Sequence, residues 1–250
     1  MFFGSLNFYQ RETEVVFKMK ILSIGNSFSA DATSYLHQIA KSAKVEIFTA
    51  NLFIGGCSLE RHYNNILSNE RAYELGINGV YNGEMVNILD TLTSNNWNYV
   101  TFQQYSFFST DYSTYQPYLA ELSSYVRNHV PGAEQIIHQT WAYEDGSEKL
   151  KETIYASHHD MFNALDSAYK QAAQSLNYRI IPSGKAFNSL REKGIDGLYR
   201  DSFHASIPRG RYILGLVWYE FFTGKKAADT TFIPDGMTEE EKDYLKNYIW

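Results

Sequence analysis

The chain has almost no cysteine: Cys57 is the single one in 250 residues. That excludes an internal disulfide framework and a cysteine-based zinc cluster. It has no excess of positive charge either, since 22 Lys and Arg against 28 Asp and Glu give a net charge of −6 with no basic tract. A nucleic-acid partner therefore has little electrostatic support. No run of 18 or more apolar residues occurs, so neither a membrane-spanning helix nor a membrane partner is expected. Residues 1–18 lack the apolar stretch and small-residue cleavage site of a secretory signal. This reads as cytoplasmic, with export reopened if the N-terminus is mis-assigned.

What is present is globular. Hydrophobic residues at 44% and charged residues at 20% are wrong for disorder. A single domain of this length buries about three-quarters of its unfolded surface and needs no staples. Aromatic content is high at 16%, with 20 Tyr, 16 Phe and 4 Trp. We read residues 1–18 as an appendage, a mis-assigned start or a private arm with the former favoured, and residues 19–250 as one domain.

Strands are expected at Lys20–Gly25, Val45–Leu52, Tyr99–Gln103, Gln135–Gln139 and Tyr178–Pro182. Several are continuous apolar runs, as in strands buried on both faces of a parallel sheet. Helical stripes lie between them: Tyr35, Leu36, Ile39, Ala40 and Ala43; Tyr118, Leu119, Leu122, Tyr125 and Val126; Phe162, Leu165, Ala168, Tyr169 and Ala172. Later, Pro208 suits a first helical position, Gly224 a helix end, and Thr238 with Glu241 a capping box. The alternation predicts an α/β fold with a mainly parallel sheet and helices on both faces. Asn69–Asn82, rich in Asn, Gly and Tyr, reads as an excursion over the sheet edge.

Open α/β sheets bind ligands beyond the carboxyl ends of their strands. After the first strand comes Gly25-Asn26-Ser27, a turn that opens a helix, where the serine amide sits at a site favouring negative charge. After the second comes Gly55-Gly56-Cys57-Ser58, whose glycines permit positive φ and expose amides. Gln103 and Gln104 end the third, and His138 to Trp141 follow the fourth. Asp201-Ser202-Phe203-His204 precedes the last long helix. A carboxylate three residues before an imidazole can accept its Nδ1–H and leave Nε2 outward as a base. A serine, an oriented histidine and converging amides are what acyl transfer requires.

These blocks resemble those of the SGNH (GDSL-type) hydrolase superfamily, in particular a poorly characterised bacterial branch. The resemblance spans Met19–Gly224. It implies a three-layer α/β/α sandwich with a flavodoxin-like parallel five-stranded sheet. It further implies Ser27 as nucleophile, Asp201 and His204 as the other triad members, and the amides of Ser27 and Gly56 in the oxyanion hole. Two departures stand out: Asn26 replaces the usual Asp, and Gln103-Gln104 replaces the usual third-block Asn. Either glutamine can take over as third donor, and Gln104 is favoured.

His62, Tyr105, Trp141 and Tyr143 are the candidate substrate-contacting residues. No metal or organic cofactor is expected: in His158-His159-Asp160, helical neighbours diverge by about 100° and read as a solvated face. Cys57 reads as a small packing residue. The expected function is a serine esterase for short acyl esters, with O-acetyl groups on carbohydrate preferred and a lipid or aryl ester as alternative. The partner is thus a small-molecule or glycan ester. The alternative of another class is a non-catalytic glycan-binding or scaffold protein on the same fold. Nothing in the sequence indicates oligomeric state.

Overall fold

Ile21, Leu22 and Ile24 are interrupted only by the small Ser23, and all four are buried. This strand can only sit inside a sheet covered on both sides. In the computed structural model, which describes residues 18–248, it is the central strand β1 (Lys18–Gly25). The proposed appendage lies outside the described residues, apart from Lys18 in that strand.

The chain continues through α1 (Ser27–Thr33), α2 (Leu36–Ser42), β2 (Glu46–Phe53) and α3 (Leu59–Ser68). A hairpin follows, β3 (Tyr73–Ile77) and β4 (Val80–Val86), then α4 (Ile88–Thr93) and β5 (Tyr99–Phe102). Next come α5 (Tyr118–His129), β6 (Glu134–His138), α6 (Glu148–Lys151), α7 (His158–Leu176) and β7 (Arg179–Ile181). The last helices are α8 (Ser183–Glu192), α9 (Arg209–Thr223) and α10 (Glu239–Tyr248).

The sheet order is β4-β3-β2-β1-β5-β6-β7. Its five parallel strands, β2-β1-β5-β6-β7, are the expected flavodoxin-like core. The sheet is wider than the five strands expected, because β3 pairs antiparallel with β2 and β4 antiparallel with β3. The stretch read as an excursion is thus paired structure. Asn78-Gly79, at φ 49° and 82°, makes the two-residue turn whose geometry matches the twist of a hairpin.

Helices α1 and α2 pack with α9 in one layer, and α3 and α4 pack with α5 in another. Gly224 ends α9 at φ 67°, while Pro208 stands one residue before that helix. Thr238 Oγ1 accepts from the Glu241 amide, but the Glu241 carboxylate turns instead to Arg209. Among the described residues no helix is long and apolar enough to cross a membrane.

Candidate active site

The crevice forms at the carboxyl ends of β1 and β5, where the chain departs in opposite directions across the sheet. Asn26 caps α1 there, its Oδ1 accepting from the Phe28 amide at 3.0 Å. Ser27 is therefore the first residue of the helix, and its amide has no intrahelical acceptor. Its Oγ lies 2.8 Å from His204 Nε2. Asp201 Oδ2 lies 2.8 Å from His204 Nδ1, and Asp201 Oδ1 accepts the His204 backbone amide at 2.8 Å. One carboxylate thus sets both the position of the loop and the rotation of the ring.

The loop bearing this pair is held from several sides. Arg200 donates its amide to the His204 carbonyl, Glu144 donates to the Ser202 carbonyl, and Trp141 Nε1 donates to the Phe203 carbonyl. Ser202 adopts φ 73°, a strained conformation for a non-glycine residue, which these contacts enforce. The Asp201 carboxyl is held below the usual carboxylate range. Partial burial pushes it up, but the two His204 hydrogen bonds and the charges of His204 and Arg200 outweigh that.

Asp31, one turn beyond Ser27, is fully buried and ties α1 to this loop. Arg200 Nη1 reaches both of its oxygens at 2.9 Å, Arg211 Nε donates at 2.8 Å, and the Ala205 amide donates at 3.1 Å. Asp31, Arg200 and Arg211 were not singled out above. Their signals are local: Asp31 stands at i+4 from Ser27, on the same helical face, and Arg200 directly precedes Asp201.

Gly56 adopts φ 61° and is exposed in the turn after β2. Asn26 Nδ2 donates to the Cys57 carbonyl at 3.0 Å and so fastens this turn to the start of α1. An aspartate at position 26 could cap the helix but could not make that donation, which gives the departure to Asn26 a physical reason.

The glutamines are placed differently from expectation. Gln104 donates from Nε2 to Thr114 O and Oγ1, and its Oε1 accepts the amides of Leu59 and Tyr105. Both amide hydrogens are thereby used inside the fold, so Gln104 is not free to meet an oxyanion. Gln103 Nε2 donates to Asn26 Oδ1 at 2.5 Å, and its Oε1 lies 2.8 Å from His138 Nδ1. It is the middle of a buried chain. Gln103 Oε1 can only accept, so His138 Nδ1 carries the hydrogen, and the free Nε2 of the neutral ring accepts from Ser183, whose Oγ accepts in turn from Trp218 Nε1–H. The third-block position has become a strut beneath the turn that carries Ser27.

This chain requires neutral His138, and burial lowers its imidazole to about 3. Burial, with a smaller contribution from Arg61, does the same to His62. Unfolding exposes both to their ordinary range near 6.5, so between about 6 and 3 the unfolded chain binds more protons. Stability then falls with falling pH, by roughly 1 kcal/mol per pH unit for each histidine. Urea unfolding from pH 7 to pH 4 checks this; a flat stability over that range would overturn it.

Of the candidate substrate-contacting residues, three turn inward. His62 is fully buried, with Nδ1 2.9 Å from the Tyr73 hydroxyl and its ring stacked on Tyr73. Trp141 is fully buried between Phe28 and Phe187 and holds the His204 loop through the Phe203 carbonyl. Tyr143 is fully buried and hydrogen-bonds with Ser106 Oγ. Tyr105 alone is partly exposed, its ring beside Gly56 at a distance where an added Cβ would lie 3.4 Å from it. Cys57 is buried and its thiol is pushed up to about 12, chiefly by burial. His158, read above as solvated, is buried against the Tyr143 carbonyl, whereas His159 faces Glu192 outside.

The fold is that of the SGNH (GDSL-type) hydrolases. A provisionally assigned SGNH hydrolase from Slackia heliotrinireducens is similar at 25% identity and a TM-score of 0.60, over 82% of this chain and 99% of that one. An acetylxylan esterase from Geobacillus stearothermophilus shares the fold at 14% identity and a TM-score of 0.51, over 90% and 100% of the two chains. The model of the DUF4886 family, a domain of unknown function, matches residues 20–250, and the chain belongs to that family. A DUF4886 protein from Bacteroides uniformis is 32% identical over 93% of each chain, with a TM-score of 0.86. No curated protein matches the chain.

Proposed function

We propose that this protein is a serine esterase that hydrolyses short acyl esters, with O-acetyl groups on carbohydrate as the preferred class. The observation that carries the reading is the unbroken line from Asp201 through His204 to Ser27, 2.8 Å at each contact. Ser27 Oγ attacks the ester carbonyl while His204 Nε2 takes its proton. The carbonyl oxygen becomes an oxyanion opposite the amides of Ser27 and Gly56. Collapse breaks the bond to the alcohol, which leaves with the proton from His204, and an acyl-Ser27 remains. Water then attacks the acyl carbon, giving its proton to the same imidazole. The acid departs and Ser27 recovers its hydrogen. Asp201 stays ionised and holds Nδ1–H throughout. The sequence of steps calls for no metal or organic cofactor.

The hydrolase class is supported by the superfamily to which the fold belongs. Carbohydrate is favoured over a lipid or aryl ester because the space beside Ser27 is lined by charged and hydroxyl-bearing groups. A second reading, a glycan-binding protein without turnover, draws on the commitment of Gln104 inside the fold and the tie of Gln103 to Asn26, since loss of one oxyanion donor costs about 10²–10³ in rate. A fluorophosphonate probe separates the two. We expect covalent labelling at Ser27 that is abolished by His204→Ala; a serine that stays unlabelled at high probe concentration supports the binding protein instead.

A further inference from the structure

We infer that the β3–β4 hairpin builds the subsite for the leaving alcohol, and that this subsite takes a neutral, hydroxyl-rich ring. The inference rests on the esterase reading and names the part of the substrate that the hairpin recognises.

A cavity of about 200 Å³ opens beside Ser27, walled by Phe53, Glu74, Tyr81, Arg200 and Arg211. Two of these come from the hairpin, and Tyr81 is fixed there before any ligand arrives. It pairs directly with Gly76 across β3 and β4, where a Cβ would come within 2.4 Å of the Tyr81 ring. Glycine therefore leaves the space that the ring fills. The Tyr81 hydroxyl accepts from Asn51 Nδ2 at 2.7 Å, and Asn51 Oδ1 accepts from Ser29 Oγ at 2.8 Å. The ring is thereby tied to the helix that carries Ser27. Phe53 meets it edge-on with centroids 5.6 Å apart. A bulge between Glu74 and Gly76 shifts the register locally, the usual device for re-aiming a side chain.

The polar groups in this wall are anchored at one end and open at the other. Glu74 Oε1 accepts the Gly83 amide, which leaves Oε2 as an acceptor. Arg211 is fixed through Nε by buried Asp31, and its terminal nitrogens have no acceptor among the described residues. Tyr81 accepts from Asn51 and keeps its own proton to donate; burial pushes that phenol up to about 12, so the proton is retained.

Donors and an acceptor lining one cavity match a ring whose hydroxyls both donate and accept. An aliphatic chain would strip water from the guanidinium and carboxylate groups and return nothing. An anionic group would meet Glu74 and a cationic one Arg211, whereas a neutral ring satisfies both. The aromatic pair supplies the apolar surface that a ring's C–H face needs.

The test compares an acetylated monosaccharide with p-nitrophenyl acetate in the intact protein, Glu74→Gln, Tyr81→Ala and Gly76→Ala. We expect the ratio of kcat/KM for the sugar ester to that for the aryl ester to fall about 10-fold in each variant, the effect of losing one charge-assisted contact. Thermal unfolding accompanies each variant, and Glu74→Gln, on the partly exposed hairpin, removes a charge without removing packing. If the intact protein turns over both esters and the ratio holds in all three variants, the subsite is overturned while the esterase reading stands. If it turns over neither, both fall.

Discussion

Ser27→Ala is expected to lower kcat for p-nitrophenyl acetate by on the order of 10⁶, while the protein stays folded. The size of the effect follows from how the site is wired. Among the described residues the Ser27 hydroxyl has one partner, His204 Nε2, so its removal leaves an oriented base with nothing to deprotonate. No nearby group can take over. Ser29 is fully buried and donates to Asn51, and the Cys57 thiol is buried and held well above the pH at which it would ionise. The fold does not need the hydroxyl, because the helix is capped by Asn26 and tied down by Asp31. Unfolding at an unchanged temperature with turnover at the limit of detection is the expected pair of results. Turnover within about 10-fold of the intact protein would remove Ser27 from the role of nucleophile.

The sheet's parallel core and both ends of the proposed catalytic line were legible in the sequence for one reason. Each is fixed by a local rule: continuous apolar runs for strands buried on two faces, a turn into a helix for Ser27, and an i,i+3 carboxylate for His204. The hairpin leaves a signal in Asn78-Gly79, but the surrounding polar residues make the stretch read as an excursion instead. What the sequence does not carry is which way a side chain turns after a strand ends. Trp141 and Tyr143 follow β6 as if entering the crevice, yet both face the core, because α7, α8 and the His204 loop close over them. The high aromatic content divides accordingly. Most of it is packing, and the rings at the crevice are few: Tyr81 and Phe53 on the polar side of Ser27, with Tyr105 by the Gly56 turn.

The glutamine pair shows the same limit at the level of hydrogen bonds. Adjacent strand residues alternate in direction, so one glutamine was expected to face the crevice. In fact the first supports the Ser27 turn through Asn26, and the second closes the Thr114 loop. Their acceptors lie 77 and 10 residues away in sequence, beyond any motif. On the esterase reading we propose, the oxyanion would meet backbone amides, and the Asn26 bridge to Cys57 holds the Gly56 turn against the start of α1.

Asp201→Asn is expected to lower kcat by about 10⁴, with KM little changed. Asp201 accepts two hydrogens, one on each oxygen, from the His204 amide and from Nδ1. Asparagine offers one acceptor and one donor. If its oxygen keeps the backbone amide, its NH₂ faces Nδ1 and drives the ring to the tautomer with hydrogen on Nε2, which points a donor at Ser27 Oγ. If it flips, two donors meet at the backbone, and the strained loop around Ser202 loses its main tie. In the intact protein the contact survives mild acid. The depressed carboxyl contributes stability that is complete above its unfolded value and lost only as pH falls through the lower folded value. Its worth to stability is small, because the carboxyl is 45% exposed and screened by solvent. The substitution should therefore separate catalysis from folding: a near-unchanged unfolding temperature, retained substrate binding, and a rate at which Ser27 no longer has a base. A kcat within about 10-fold of the intact protein would mean that His204 is oriented by something other than Asp201.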